Sequence, residues 1–227
     1  MQINPVLMSI QPVFPGVVRI NGKLATLSAV KGFKVHDEIT YTISGQSYRE
    51  WDAFHSKLAA AISSGMRTFP FKDGTTVLYL GAANGVTCSF LSDIIGRGSI
   101  YAVEFSAQSG RDLIKVSEKR TNIFPIIEDA RFPERYSELI EGKVDVVFED
   151  VADRDQVGIL KTNCDLMLRQ GGIAMIAIKS RSIDSTVPPK QVYSKVITDL
   201  MPHFEVLEKI DLGGYERDHM FLVLRKK

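Results

Sequence analysis

Residues 76–105 read TVLYLGAANGVTCSFLSDIIGRGSIYAVEF, and this stretch decides the fold. A short apolar run at 77–80 meets the loop Gly81-Ala82-Ala83-Asn84-Gly85. A segment of helix length follows at 86–95, then a second strand that ends in Glu104. Strand, tight loop, helix and strand in that order form one arm of an open parallel sheet, whose ligands settle in the crevice outside the carboxyl ends of the strands. The loop amides and the Glu104 carboxylate border that crevice. They suit an adenosine-containing molecule, with the carboxylate accepting from ribose hydroxyls.

The alternation continues outward. Strands are predicted over residues 77–80, 100–105, 124–127, 144–150 and 173–179, and helices over 86–95, 110–121 and 155–169. Near-continuous apolar strands interleaved with helices require a parallel sheet covered on both faces. Residues 204–212 and 219–224 are two strands joined without a helix, so they pair antiparallel, at one edge. The expected class is α/β: a doubly wound, mostly parallel, seven-stranded sheet with an antiparallel last strand. This layout resembles the common S-adenosylmethionine-dependent methyltransferase fold.

Upstream, residues 1–50 read as a small β-rich N-terminal domain and 51–227 as the main domain. Asn21-Gly22 between two apolar runs is a strong hairpin signal, and a second pair is expected across 39–43 and Ser44-Gly45. Trp51, Phe54, Leu58, Ala61 and Ile62 fall on one helical face, so a helix is predicted from Trp51 to the terminator Ser63-Ser64-Gly65. Residues 69–75 form a connector.

Composition narrows the function classes. The chain has 227 residues with 44% hydrophobic and 24% charged content, enough for one α/β domain and a small appendage. It carries no apolar run near the ~20 residues of a membrane span and no secretory layout at its start, so a cytoplasmic, membrane-free protein is expected. Cys88 and Cys164 have no metal-ligand spacing and read as buried small hydrophobes. With 28 basic and 27 acidic residues, the chain lacks the basic excess of a protein that binds nucleic acid unaided.

The glycine loop is not GxGxxG. A nicotinamide dinucleotide keeps Glu104 at a suitable offset, but its pyrophosphate needs the three glycines. S-Adenosylmethionine has no phosphates to place. It would use the loop amides of Gly81, Ala82, Asn84 and Gly85 for its carboxylate and Glu104 for its ribose. Asp129-Ala130 would take the adenine, although Asp129 also suits a cap or turn.

Four polar residues stand where the core pattern does not explain them. Asp150 and Lys179 end apolar strands at the carboxyl edge of the sheet. Lys57 borders the buried face of its helix, and His219 opens the last strand. A sulfonium methyl is already electrophilic, so attack by a ribose 2′-hydroxyl needs positioning and a group that accepts the hydroxyl proton. Lys179 is placed to be that group, with Asp150 orienting it and His219 as the rival acceptor.

Several runs together resemble the fibrillarin family, in particular the archaeal fibrillarin-like RNA 2′-O-methyltransferases. They include Ser56-Lys57-Leu58-Ala59-Ala60-Ala61-Ile62, Tyr79-Leu80-Gly81-Ala82-Ala83, Tyr101-Ala102-Val103-Glu104-Phe105-Ser106, Pro125-Ile126-Ile127-Glu128-Asp129-Ala130-Arg131, Asp150-Val151-Ala152, Ile183-Asp184-Ser185-Thr186 and Tyr215-Glu216-Arg217-Asp218-His219. The resemblance implies catalytic roles for Lys57, Asp150, Lys179 and His219. It implies cofactor contacts at Val86, Thr87, Glu104, Phe105, Asp129, Ala130, Asp150, Val151, Ala152 and Asp153, with S-adenosylmethionine as cofactor and no metal. Asn84, Val86 and Asp153 depart from the residues the family more often carries. The implied activity is guide-directed ribose 2′-O-methylation of rRNA and tRNA within a box C/D particle. Its partners would be guide RNA, a coiled-coil scaffold protein and, indirectly, a kink-turn-binding protein. A non-catalytic structural subunit and a nicotinamide oxidoreductase are the competing readings. Arg111, Lys115 and Lys119 recur every four residues, as an RNA-facing stripe or a solvated helix face.

Overall fold

Two-residue turns build the first sheet. The computed structural model describes residues 9–227, so the first eight residues of the predicted N-terminal domain lie outside the described residues. Strands β1 (Ile10–Phe14), β2 (Val17–Ile20), β3 (Lys23–Leu27), β4 (Thr40–Ile43) and β5 (Gln46–Glu50) form an antiparallel sheet of order β1-β2-β3-β5-β4. Asn21 and Gly22 have φ of 51° and 83°, and Ser44 and Gly45 have 51° and 79°. Positive φ at both central residues is type I′ geometry, which follows the right-handed twist of a hairpin. Both expected hairpins are present; β1 carries a weaker pattern and was not predicted.

The helix expected from Trp51 begins instead at Lys57, as α1 (Lys57–Ser63). Asp52 accepts from the Phe54 amide at 2.9 Å and from His55 Nδ1 at 2.9 Å, closing a turn that competes with helix. Ser56 then caps α1, accepting from Ala59 N at 3.3 Å. Phe54, predicted to be buried, is 63% exposed at this turn and packs edge-on against Tyr215.

The larger sheet follows: β6 (Thr76–Leu80), α2 (Val86–Ile95), β7 (Ser99–Val103), α3 (Ala107–Ser117), β8 (Ile123–Ile126), β9 (Val144–Glu149), α4 (Gln156–Met167), β10 (Leu168–Lys179), α5 (Ser180–Ile183), α6 (Pro189–Leu200), β11 (Phe204–Asp211) and β12 (His219–Lys226). Its order is β11-β12-β10-β9-β6-β7-β8. From β6 the chain winds out through β7 and β8 and returns to β9 on the other side, which puts the switch point between β6 and β9. The final pair is antiparallel and lies at one edge of the sheet as expected, with β11 outermost. Strand β12 inserts between β10 and β11 and runs antiparallel to both. Helix α6 was not predicted, although Pro189 at its first turn and buried Val192, Val196 and Leu200 mark it.

Alternate residues of the strands enter two cores. Val77 and Tyr79 join the core under α1 and α2, which also takes Val17 and Leu24 from the first sheet and Trp51 just after it. Leu78 and Leu80 join the core under α4 and α6. A buried ion network ties the two sheets together. Arg49 pairs with Glu38 at 2.8 Å and Asp93 at 2.9 Å, and Arg120 reaches Asp93 at 2.6 Å, with all four side chains fully buried. Cys88 and Cys164 are free and buried, as expected. Lys119 lies beyond α3, and Lys115 is paired with Asp112, so the predicted basic stripe is interrupted. Among the described residues no helix is long and apolar enough to cross a membrane.

Candidate active site

The loops after β6, β7, β8 and β9 enclose a cavity of about 280 Å³ at the switch point. Its floor depends on Gly81. That residue has φ of 78°, and a Cβ there would lie 2.9 Å from the Asp150 carbonyl oxygen, so only glycine lets the β6 and β9 loops meet. The Gly81 and Ala82 amides both donate to Val103 O at 3.0 Å, which seats the glycine loop on the end of β7. Glu104, 7% exposed, then joins two loops: one carboxylate oxygen accepts from Ala83 N and the other from Ser106 N, each at 2.8 Å. Each oxygen keeps a lone pair for a further donor in the cavity.

Gly81, Glu104, Phe105, Asp129, Ala130, Asp150, Val151, Ala152, Asp153 and Lys179 all line this cavity, together with Ala83, Ser109, Glu128, Arg131 and Ile159, which were not predicted. Phe105 is 74% exposed, an open aromatic face at the rim. Asp129 forms a bidentate pair with Arg131, whose guanidinium holds its carboxyl below the usual range. Five predicted cofactor-binding residues are not in the cavity wall. Ala82 and Gly85 are buried, Val86 packs into the core, and the Thr87 hydroxyl donates to Ser56 Oγ at 2.9 Å. Asn84 is exposed at the loop tip.

Of the four predicted catalytic residues, Asp150 and Lys179 touch directly, strand register sets His219 opposite Lys179, and Lys57 is tied to the loop that precedes His219. Lys179 Nζ lies 2.8 Å from Asp150 Oδ1 and donates to the Asp150 carbonyl at 2.8 Å. Lys179 and His219 are direct register partners of β10 and β12. His219 Nδ1 lies 2.8 Å from Arg217 O. A carbonyl only accepts, so Nδ1 carries a hydrogen, and the neutral tautomer with this bond is the one that leaves the unshared pair on Nε2. Lys57 Nζ is held by Glu216 at 2.8 Å, in the loop that leads to His219. Lys57 and His219 are not among the residues that line the cavity.

Two residues here were missed. Gln156, fully buried, donates to Val151 O and Ala177 O and accepts from Lys179 N, each at 3.0 Å, so it fixes the ends of β9 and β10 against each other. Glu149, also fully buried, has no partner for either carboxyl oxygen, and burial pushes its carboxyl well above the usual range. Gln156 looked like an ordinary first-turn helix residue, and Glu149 was masked by Asp150 beside it.

Comparison with known proteins agrees with this geometry. The fibrillarin family model matches residues 9–227. The fibrillarin-like rRNA/tRNA 2′-O-methyltransferase of Pyrococcus furiosus is 47% identical over 219 residues, covering 94% of this chain and 96% of the relative. A crystal structure of Aeropyrum pernix fibrillarin in complex with natively bound S-adenosyl-L-methionine superposes with a TM-score of 0.88 at 43% identity, covering 95% of this chain and 97% of the other. The fibrillarin of a fibrillarin/Nop5p complex gives 0.87 at 37% identity, with 94% and 98% covered. A match that runs through both sheets at these identities settles membership: the chain belongs to the fibrillarin family.

Proposed function

We propose that this chain is an S-adenosylmethionine-dependent RNA 2′-O-methyltransferase that acts on rRNA and tRNA as the catalytic subunit of a guide-RNA particle. The observation that carries the reading is the charge of the cavity. Glu104, Glu128, Asp129, Asp150 and Asp153 face only Arg131 and Lys179 there. Such a wall repels a pyrophosphate and favours a cation, which disfavours a nicotinamide dinucleotide and fits a sulfonium. S-Adenosylmethionine, when bound, supplies an electrophilic methyl group. Gly81 would leave room for its amino-acid end, the free lone pairs of Glu104 would accept from its ribose, and Phe105 and Asp129-Ala130 would flank its adenine.

The chain's own residues then handle the hydroxyl. Asp150 and Lys179 form a rigid pair that orients it. Lys179 Nζ is already donating, whereas His219 Nε2 has an unshared pair, so the geometry favours His219 over Lys179 as proton acceptor. Lys57, held by Glu216, borders the acceptor side. The near-equal charge balance supports a division of labour in which guide RNA, a scaffold protein and a kink-turn-binding protein supply most of the phosphate affinity.

Methylation of guide-paired RNA tests this reading. The purified chain with S-adenosylmethionine should methylate little RNA alone and become active when guide RNA and the partner proteins are added. Inactivity of the full assembly would refute the enzyme reading; efficient modification of generic RNA by the chain alone would refute the guided one. His219→Ala should lower the single-turnover rate about 10²–10⁴-fold, the usual loss for a general base. A His219→Ala rate within twofold of the parent's would return the role to Lys179.

A further inference from the structure

A second cavity, of about 370 Å³, opens beside the reacting residues and is lined by Arg154, Arg181, Ser182, Ile183, Asp184, Ser185 and Thr186. Its position is fixed by the same elements that position the acceptor side. The loop begins one residue after Lys179, where Ser180 donates to Asp218 O through its amide at 3.3 Å and its hydroxyl at 2.9 Å. Asp218 immediately precedes His219. Arg181 Nε pairs with Asp218 Oδ2 at 3.0 Å, and its Nη1 donates to Ser185 O at 3.2 Å. On the other side, Arg154 directly follows Asp153 of the first cavity.

The two cavities have opposite sign. The first holds five carboxylates against two cations. The second holds two guanidiniums against one carboxylate, Asp184, whose Oδ1 is already engaged by the Thr186 amide at 2.8 Å and hydroxyl at 2.6 Å. Asp218 neutralises part of Arg181. Arg154 is exposed and makes no ion pair among the described residues. Its charge is therefore available, and a guanidinium fork matches phosphate oxygens.

Resting on the methyltransferase reading above, we infer that this second cavity binds a phosphodiester of the RNA strand next to the ribose being modified, with Arg154 as its principal contact. The acidic cavity, whose wall includes Asp150 and Lys179, takes the cationic donor; the basic one, in the segment that follows Lys179 and bonds to the residue before His219, takes the anionic backbone. Phosphate contacts fix register without reading sequence. That is the requirement on a subunit whose target is chosen by guide pairing.

A substitution cycle tests the inference in the assembled particle. Target RNAs carry a neutral methylphosphonate in place of the phosphate on the 5′ or the 3′ side of the target nucleotide. Arg154→Ala should slow single-turnover methylation of unmodified RNA about 10- to 100-fold, the worth of a charged hydrogen bond, and lower the salt slope. Arg154→Lys should recover part of the loss, and affinity for S-adenosylmethionine by calorimetry should not change. One methylphosphonate should slow the unsubstituted enzyme comparably, yet add no further loss to Arg154→Ala. Losses that multiply at both positions, or Arg154→Ala within twofold of the unsubstituted enzyme, would overturn the contact. So would a mononucleotide that competes as well as the RNA strand. Failure of the unsubstituted particle to methylate unmodified RNA removes the enzyme reading and this inference with it; normal methylation with multiplying losses removes this inference alone.

Discussion

Glu149 is flanked in the sheet by Leu80 and Ile176, both members of the apolar core under α4 and α6. Its folded-state pKa is raised by burial, with the nearby Lys179 opposing only in part. As pH rises above ~4.5 the unfolded chain releases this proton while the folded chain retains it, so the residue penalises folding increasingly toward neutrality. Glu149→Leu should therefore stabilise the protein by about 1–3 kcal/mol near pH 8, the cost of a partnerless buried polar group, with the gain shrinking toward pH 4.5. Thermal melts across that range check it; a gain independent of pH would contradict a neutral buried carboxyl. Glu104 is a partnered carboxylate: it holds two loops as well as the proposed ribose. Glu104→Ala should weaken S-adenosylmethionine by about 1.5–3 kcal/mol in calorimetry and also lower the melting temperature. Unchanged affinity in a folded variant would remove the assignment.

The short helix α1 carries Lys57 as its first residue, so its cap bears on the site. Ser56→Ala removes the acceptor for Ala59 N and for the Thr87 hydroxyl and should cost about 0.5–2 kcal/mol. It should reduce the methylation rate more than cofactor affinity; a melting temperature and rate both equal to the parent's would show that the cap does not position Lys57. The same region marks the limit of what periodicity can say. Apolar spacing pointed to a helix from Trp51, but Asp52 closes a turn by side-chain bonds that spacing does not register. The strands of the large sheet were legible because both faces are buried and their apolar runs are nearly continuous. Glu104, Asp150 and Lys179 were legible as polar residues closing such runs. Gln156 was not, because its importance lies in backbone groups of two distant strands, and Arg154 was not, because its cavity exists only when the loops after β9 and β10 meet.

At the scale of the molecule, the fully buried network of Glu38, Arg49, Asp93 and Arg120 makes the two sheets one mechanical unit. Asp93 is shared by both arginines, so Asp93→Ala leaves two buried cations without it and should cost about 3–5 kcal/mol. Denaturant unfolding should show that loss as a lower midpoint of a single transition. Two separated transitions in the parent protein would mean that the sheets unfold independently and that the network does not couple them.

The insertion of β12 between β10 and β11 has a consequence for the order in which the enzyme can be assembled during synthesis. Strand β11 leaves the ribosome first but has no neighbour in the sheet until residues 219–226 follow it. Until then the flank of β10 is bare, an edge open to wrong pairing. The strand that closes this edge also delivers His219 opposite Lys179. A nascent chain thus reaches the complete arrangement of Asp150, Lys179 and His219 in the same step that seals its sheet, and no earlier.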